Sequence, residues 1–339
     1  MSATTVQTVS ESDLSGRLRA FAARHTGWVP VLAAAVIFVA MLIGGQVYFG
    51  TFVSPRLLSS LLLDNAYLLI LAVGMTFVIL TGGIDLSVGA VMGFTGILGA
   101  KLLLAGVPSG IAIPVMIGSG AVIGLFIGVL VQYFDVQPFI ASLAGMFLAR
   151  GLAFVVSLDT LRVTDPLLGA LQSTRFRLPG GWYITPTVLI ALVAVLIAVW
   201  VLGWTRFGRT VYAVGGNEQS ARLMGLAVAR SKLLVYVISG TCAGLAGVVF
   251  TAYTSSGYSL NGIGTELDTI AAVVIGGTLL SGGSGYVLGS LFGVLVYGLI
   301  KTVISFLGVD TSWTRITIGA LLLIFVVVQR FLVMRSRRR

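Results

Sequence analysis

The chain has 339 residues, of which 57% are hydrophobic and 9% are charged, and its net charge is +10. Soluble domains carry about 25% charged residues, so this chain has too little polar surface to cover a globule in water. Its apolar content also excludes a disordered chain. The basic residues lie in tails and short loops between apolar runs, which is typical of membrane topology and argues against nucleic-acid binding. The composition therefore predicts an all-α integral membrane protein.

Ten apolar runs follow one another along the chain, and a run of about 20 residues crosses the hydrocarbon core as a helix. We therefore predict about ten transmembrane helices. The eighth run is short and ends in the glycine-rich stretch 281–285, so it is either a half-span or a span broken by glycines. The runs are 28–49, 58–80, 87–105, 111–133, 138–157, 186–204, 233–253, 267–280, 285–307 and 315–333.

The domain organisation follows from these runs. Residues 1–27 form a polar tail without the apolar core of a cleavable signal peptide, 28–334 form one transmembrane domain, and 335–339 form a basic tail. With ten spans, both tails and the loop 205–232 lie on one side, and together with Arg330 near the end of the last run they hold thirteen of the 21 basic residues. The positive-inside rule then makes both termini and this loop cytoplasmic, and the loop 158–185 external. Aromatic residues in the external loop fit a membrane-interface belt or a docking surface for an external partner.

Two glycine-rich segments lie 200 residues apart, at 81–90 and 281–290, and each follows an apolar run. Glycine-interrupted hydrophobic segments in corresponding places of two halves indicate a duplicated transporter fold with its pathway at the repeat interface. The other interpretation is that the small residues only let helices pack closely. The candidates for the translocation pathway or its gating are Gly82, Gly83, Asp85, Ser87, Gly282 and Gly283.

Ionisable residues inside apolar runs are candidates for function, because their burial in a bilayer is costly. Asp85 opens the third run, where it is either a helix N-cap or a pathway residue. Arg150 lies inside the fifth run and either snorkels outward or pairs with a carboxylate. Lys101 and Lys301 are near enough to predicted helix ends to snorkel. Capping is the default interpretation for Asp64, Asn65, Asp268 and Thr269.

Several chemistries have no motif in this sequence. There is no phosphate-binding loop of the G-x-x-x-x-G-K-[ST] type, and neither H-E-x-x-H nor G-x-S-x-G occurs. The single cysteine, Cys242, lies in an apolar run and is expected to be a small buried hydrophobe. We therefore expect no catalytic residues, metal site or cofactor in this chain. Active transport would take its energy from a partner or from an ion gradient.

The cytoplasmic loop 205–232 contains the signals of a short helix. Asn217 suits an N-cap, Glu218 suits the first turn, and Gly225 suits a C-cap. We therefore predict a helix of about two turns over 217–224, outside the membrane. It is either an interface helix for a partner or an amphipathic connector that lies on the lipid surface.

Two long motifs resemble a known family. Thr-Gly-Gly-Ile-Asp-Leu-Ser-Val-Gly at 81–89 resembles the signature of permease subunits of ribose-type (carbohydrate uptake) ABC importers. The run Arg-Phe-Gly…Val-Tyr-Ala-Val-Gly-Gly-Asn-Glu…Ala-Arg-Leu-Met-Gly at 206–225 is similar to the cytoplasmic loop of the same family. The resemblance covers residues 50–335, and within the family it is strongest to the second permease of galactofuranose importers, by runs such as Asp64-Asn65-Ala66 and Ala144-Gly145-Met146-Phe147.

The resemblance implies a permease subunit in the bacterial inner membrane that forms the pathway for a monosaccharide, galactofuranose or a ribose-like sugar. It implies a partner ABC ATPase that uses ATP and Mg²⁺, an external sugar-binding protein, and a second permease chain in a homodimer or heterodimer. The external loops 158–185 and 254–266 would face the binding protein. The ATPase-coupling residues would be Gly215, Gly216, Asn217, Glu218, Ala221, Arg222 and Gly225.

Two other classes of function compete with this interpretation. An ion-coupled secondary sugar carrier would work alone, but the carboxylates lie at helix ends and the only histidine is His25 in the tail, so the sequence has no evident proton relay. A membrane transferase would need acidic metal-binding clusters, which the sequence lacks.

Overall fold

In the computed structural model, residues 28–310 and 312–337 are described, and helices dominate. Each of the ten apolar runs coincides with a helix or, for the second run, with a pair of helices. The helices are α1 (Val29–Phe49), α2 (Pro55–Asp64), α3 (Ala66–Leu80), α4 (Val88–Leu104), α5 (Ser109–Tyr133), α6 (Pro138–Val156), α7 (Pro166–Ser173), α8 (Pro186–Trp204), α9 (Arg206–Gly216), α10 (Glu218–Leu223), α11 (Val228–Thr254), α12 (Thr265–Ile275), α13 (Val287–Phe306) and α14 (Ser312–Arg337).

Six of these helices, α1, α5, α6, α8, α11 and α13, are long and apolar enough to cross a membrane. The pair α2 and α3 adds a seventh if its two helices, bent by 53°, form one span. Helix α4 is apolar but shorter, and so is the first half of α14. The predicted membrane protein is thus supported, while the count of about ten spans is not confirmed.

The eighth apolar run forms a short helix and then an irregular turn. Helix α12 has 11 residues and ends at Ile275, so it rises about 16 Å and is too short to cross a core of about 30 Å. Gly276 caps its end, and Gly277 follows with a positive φ of 92°. The eighth run is therefore not one continuous helix: its helical part ends where the glycines begin, and the turn that follows reaches Gly283, whose N–H donates to the carbonyl of Leu80 at the end of α3.

Helix α11 lies at the centre of the bundle, where it packs against α5, α3 and α4. Its crossing with α5 depends on glycines four residues apart. A Cβ added at Gly120 or Gly124 would overlap the backbone of α11, and one at Gly240 or Gly244 would overlap the backbone of α5. Such small-xxx-small patterns let membrane helices approach closely. Helix α3 is buried along nearly its whole length, as expected for a helix that is apolar on all sides.

The outer helices expose large apolar side chains that a bilayer would cover. Val122 of α5, Phe147 of α6, Leu196 of α8 and Trp200 of α8 are each at least 60% exposed. In water such a surface would be an aggregation hazard, but in lipid it is the favourable one.

The segments predicted to be external contain the four short strands. They are β1 (Leu161–Arg162), β2 (Phe176–Arg177), β3 (Tyr183–Ile184) and β4 (Ser256–Gly257). Strands β2 and β3 form a hairpin within 158–185. Strand β1 pairs antiparallel with β4, with Leu161 opposite Gly257. The two loops that were predicted to face a binding protein, 158–185 and 254–266, are therefore joined to each other.

Candidate functional site

The segment 205–232 forms two short helices, α9 and α10, that meet at Asn217. The Asn217 side chain accepts a hydrogen bond from the backbone N–H of Ser220 at 2.7 Å, so the predicted N-cap is confirmed. Gly225, the predicted C-cap, follows the helix with a positive φ of 73°. Helix α9 is an element that sequence reasoning missed. The sequence did contain a signal for this helix, namely two valines at helical spacing, Val211 and Val214. The structure buries both of them.

Helix α10 is fixed on the bundle by one small apolar residue and by charge. Ala221 is fully buried among Val214 and Val228. Glu218 accepts hydrogen bonds from Arg222 and from Lys232, whose Nζ lies 3.0 Å from the carboxylate. Burial raises the pKa of Glu218, but the hydrogen bonds and charges of Lys232 and Arg222 outweigh burial and hold that pKa below its usual value. The ion pairs therefore tie α10 to the start of α11.

Two large apolar side chains are exposed where α10 ends. Leu223 is 83% exposed and Met224 is 67% exposed. They lie beside the exposed Arg222. An apolar pair next to a cation is a surface that a docking protein covers well.

The end of α9 contacts both glycine-rich segments that the sequence placed 200 residues apart. A Cβ added at Gly215 would overlap the carbonyl oxygen of Leu80 and the backbone N–H of Gly283. The N–H of Gly283 donates to the carbonyl of Leu80 at 2.9 Å. Tyr212 of α9 donates from its hydroxyl to the carbonyl of Gly285 at 2.8 Å. We name the meeting point of residues 80–83, 215–216 and 281–283 the glycine junction.

Glycine is required in the junction because of both conformation and space. Gly82 and Gly282, the residues 200 positions apart, have nearly equal positive φ angles of 80° and 82°. L-amino acids rarely adopt that region. A Cβ at Gly282 would also lie 2.8 Å from the backbone nitrogen of Gly82. The predicted residues Gly82 and Gly282 thus pack backbone against backbone, as Gly283 does with Gly215, whereas a Cβ at Gly83 would overlap the Tyr236 hydroxyl.

Asp85 lies just beyond the junction and is fully buried. One carboxylate oxygen accepts from the N–H of Ser87 at 2.9 Å and from its hydroxyl at 2.6 Å. The other accepts from the Ser239 hydroxyl of α11 at 2.7 Å. Asp85 therefore does more than cap a helix: it holds the turn before α4 against the central helix. Ser239 was missed by sequence reasoning, since nothing in its neighbourhood marks it.

Arg150 neither snorkels nor forms an ion pair among the described residues. Its guanidinium donates to the backbone carbonyls of Ser259 and Asn261, at 2.9 Å in the second case. The loop that carries these carbonyls packs against Gly89 and Gly93 of α4, where an added Cβ would overlap Gly262 and Asn261. Arg150 thus fixes the segment that leads into the half-length helix α12.

A cavity of about 430 Å³ opens at the start of α3, the end opposite to the glycine junction, and lies between α2, α3, α11 and α13. We name it the polar cavity. Asp64 accepts a hydrogen bond from the Tyr253 hydroxyl at 3.1 Å, and the ring of Tyr67 packs edge-on to Phe250 at 4.9 Å. Its lining residues are Ser60, Asp64, Asn65, Tyr67, Phe250, Tyr253, Gly298, Lys301, Thr302, Ser305 and Phe306.

The default capping interpretations of the sequence are corrected here. The Asp64 side chain bonds to Tyr253, and Asn65 donates from its side chain to the carbonyl of Leu61 at 2.8 Å instead of capping α3. Asp268 lies in the first turn of α12, whose N-cap is Gly264 and has no side-chain hydrogen bond, and Thr269 donates to the carbonyl of Thr265 at 2.6 Å. The sequence repeats a Leu-Asp pair at 63–64 and 267–268, and of the two aspartates only Asp64 lines this cavity.

Lys301 was predicted to lie near enough to a helix end to snorkel, and this stays a prediction. Its ammonium lies 5.2 Å from the centre of the Tyr297 ring, one turn earlier on α13. Among the residues that the structure describes, no group of three or more His, Cys, Asp or Glu side chains is placed to hold a metal ion.

The chain matches the family described as branched-chain amino acid transport system / permease component over residues 57–326. The fructose import permease FruG of Bifidobacterium longum is 47% identical over 308 residues, which are 89% of this chain and 91% of FruG. The inner membrane ABC transporter permease YjfF of Escherichia coli is 45% identical over 304 residues, 89% and 92% of the two chains. The ribose import permease RbsC of Bacillus subtilis is 40% identical over 285 residues, 83% and 86% of the chains. No solved structure matches the chain.

These similarities show that the chain belongs to the BPD_transp_2 permease family, within which its relatives are permeases of sugar ABC importers. It is a multi-pass membrane transport subunit and not an enzyme. The predicted family resemblance is thereby confirmed, whereas galactofuranose as the cargo is not shown. The family implies an ATPase and a binding protein as partners.

Proposed function

We propose that this chain is the transmembrane permease subunit of an ATP-driven, binding-protein-dependent importer and forms the translocation pathway for a monosaccharide. Relatives that are 47% and 40% identical are named as import permeases for fructose and ribose. The chain has no phosphate-binding loop, so ATP and Mg²⁺ are bound by a separate ATPase subunit. Its cytoplasmic partner is that ATPase, and its external partner is a sugar-binding protein.

The observation that carries this proposal is the contact between the end of α9 and the glycine junction. Gly215 lies against Leu80 and Gly283 with no side chain between them. A displacement of α10 by a partner would therefore reach both glycine turns directly, because closely packed backbone does not yield. The predicted coupling residues and the predicted gating residues then form one mechanical unit, and alternating access is a movement of one half of the bundle against the other.

The surface of α10 suits the ATPase as its partner. Leu223 and Met224 provide exposed apolar contacts, and Arg222 provides a cation beside them. The ion pairs of Glu218 with Arg222 and Lys232 keep α10 in register with α11. A movement of the ATPase against Leu223 would thus be passed to the bundle and not absorbed by a flexible loop.

We further propose that the membrane topology is ten spans with both termini cytoplasmic, in the bacterial inner membrane. The charge bias of the tails and of 205–232 supports this orientation, and the echo of 81–90 at 281–290 supports a duplicated fold. A second permease chain, identical or related, completes the transporter. The cargo is a monosaccharide such as galactofuranose, ribose or fructose.

The test is uptake by vesicles that contain the chain, its ATPase and its binding protein, loaded with ATP. Labelled fructose, ribose, galactofuranose and leucine are offered in parallel. We expect uptake of at least one sugar, dependent on the ATPase and abolished when a non-hydrolysable ATP analogue replaces ATP. Uptake by the chain alone under an ion gradient would contradict the proposal and establish the secondary carrier instead. Uptake of leucine but of no sugar would show that the cargo is not a monosaccharide.

A further inference from the structure

The polar cavity lies at the end of α3 opposite to the glycine junction. Asp64 and Tyr67 stand at the start of this helix, and Gly82 follows its end. A helix of 15 residues is about 22 Å long, so the two regions are separated by most of the thickness of the hydrocarbon core. None of the residues assigned to the coupling unit lines this cavity.

Its lining combines carboxylate, ammonium, hydroxyl and aromatic groups from four helices. Asp64 and Lys301 both line it, and Tyr253 donates to Asp64 at 3.1 Å. Tyr67 and Phe250 contribute ring surfaces that pack at 75° to one another. The cavity therefore offers hydrogen-bond donors, acceptors and apolar ring faces within a single space.

A second cavity of about 750 Å³ adjoins the first, because Lys301 and Ser305 line both. It adds Asp268 and Arg315. Two carboxylates, Asp64 and Asp268, thus stand with two cations, Lys301 and Arg315. Charges so placed among apolar helices are costly against lipid and are expected to face water or a ligand. Because their charges balance, the site favours a neutral ligand over an anion.

We propose that the polar cavity is a sugar subsite, where Asp64, Tyr253 and Lys301 hydrogen-bond to the hydroxyls of a neutral monosaccharide while Tyr67 and Phe250 face its C–H surface. This proposal rests on the proposed function and names a contact site for the cargo. A volume of about 430 Å³ lies in the range of roughly 300–1,000 Å³ that is usual for small-molecule pockets. Carboxylates and hydroxyls serve neighbouring sugar hydroxyls well, since each sugar hydroxyl both donates and accepts.

The test uses a cysteine in the cavity of the complete transporter in vesicles. Ser305→Cys places a thiol at the boundary of the two cavities. The native Cys242 lies within α11 and packs against Gly74, so the unsubstituted transporter provides the labelling background. We expect a small thiol reagent to label Ser305→Cys and the transported monosaccharide to slow that labelling. Half-protection is expected at millimolar sugar, on the order of 1–10 mM, because a site on a pathway must release its cargo.

Two variants test the residues that are assigned to the sugar. Asp64→Asn and Tyr253→Phe, each in the Ser305→Cys background, should raise the sugar concentration for half-protection on the order of tenfold, as expected for a lost hydrogen bond to a charged group. Asp135→Asn and Tyr133→Phe make the same chemical changes at exposed positions outside the cavity. These controls should leave protection unchanged.

The outcomes separate this inference from the proposed function. If ATP-driven sugar uptake is present but no sugar protects Ser305→Cys at any concentration, the subsite is wrong and the proposed function stands. If Asp64→Asn and Tyr253→Phe lower thermal stability but leave protection unaltered, the two residues only join α2 to α11 and the subsite is again wrong. If leucine protects and sugars do not, both the subsite and the cargo class fail.

Discussion

The two ends of α3 are built in opposite ways. At the glycine junction, three segments meet backbone against backbone, and a single added methyl at Gly215 has no space. At the polar cavity, side chains from four helices line an open volume of about 430 Å³. The glycine junction is thus formed mainly by backbone atoms, and the polar cavity is lined mainly by side chains.

This difference indicates that the glycine junction transmits movement, whereas the polar cavity contacts the cargo. Contacts between backbones transmit displacement, because a tightly packed interior is bistable and does not deform gradually. An open, polar and charge-balanced space suits a hydrated cargo. If this comparison is right, the junction should be sensitive to volume, and the cavity should be sensitive to the loss of particular polar atoms.

The largest effect is expected from Gly215→Val. The added side chain would overlap the Leu80 carbonyl and Gly283, and overpacking of this kind costs about 1–3 kcal/mol or more. We expect ATP-driven uptake to fall by at least about tenfold, measured in the vesicle assay. Gly203→Ala is the control, because a Cβ there meets no other atom within 4 Å. Normal uptake by Gly215→Val would remove the junction from the mechanism.

A smaller effect is expected from Asp85→Ala beside the junction. The substitution leaves the buried Ser239 hydroxyl without its acceptor at 2.7 Å, which costs about 2 kcal/mol. Unfolding of the purified chain by denaturing detergent measures the loss. Ser239→Ala should cost less, because Asp85 keeps both hydrogen bonds from Ser87. Exactly additive losses in the double variant would show that the two side chains are not coupled.

The smallest effect is expected from Glu218→Arg on α10. It replaces the attraction to Arg222 and Lys232 by repulsion, and exposed pairs of this kind contribute about 0.2–1 kcal/mol. The ATPase activity stimulated by the binding protein should fall by about threefold, with normal insertion into the membrane. Adding Lys232→Glu should restore part of the activity. Transport that is equal to that of the parent chain would show that α10 does not couple.

Much of the fold was predictable because apolar runs of about 20 residues have few alternatives in a bilayer. The helices lie where these runs predicted them, and Asn217 caps α10 as its residue type favours. The count of spans was less predictable. Length alone cannot decide whether α4 crosses, or how α12 and its glycine turn divide the eighth run.

The candidate site was only partly predictable. Glycines at 82 and 282 were identified from their spacing, and the structure places them in one junction. Their contact with Gly215 was not evident, because residues far apart in sequence carry no local signal of proximity. Asp64 was interpreted as a cap, since position at a helix start favours that interpretation, while its hydrogen-bond partner Tyr253 is on another helix.

The sequence by itself determined that this protein lies in a membrane and which long apolar segments form its helices. These properties follow from local composition, because the bilayer requires every backbone group to be satisfied within its own helix. Only the tertiary structure decided which segments meet: α9 with both glycine turns, Asp85 with Ser239, and Asp64 with Tyr253. Such contacts depend on how helices cross, and crossing is set by the packing of small residues on several helices at once.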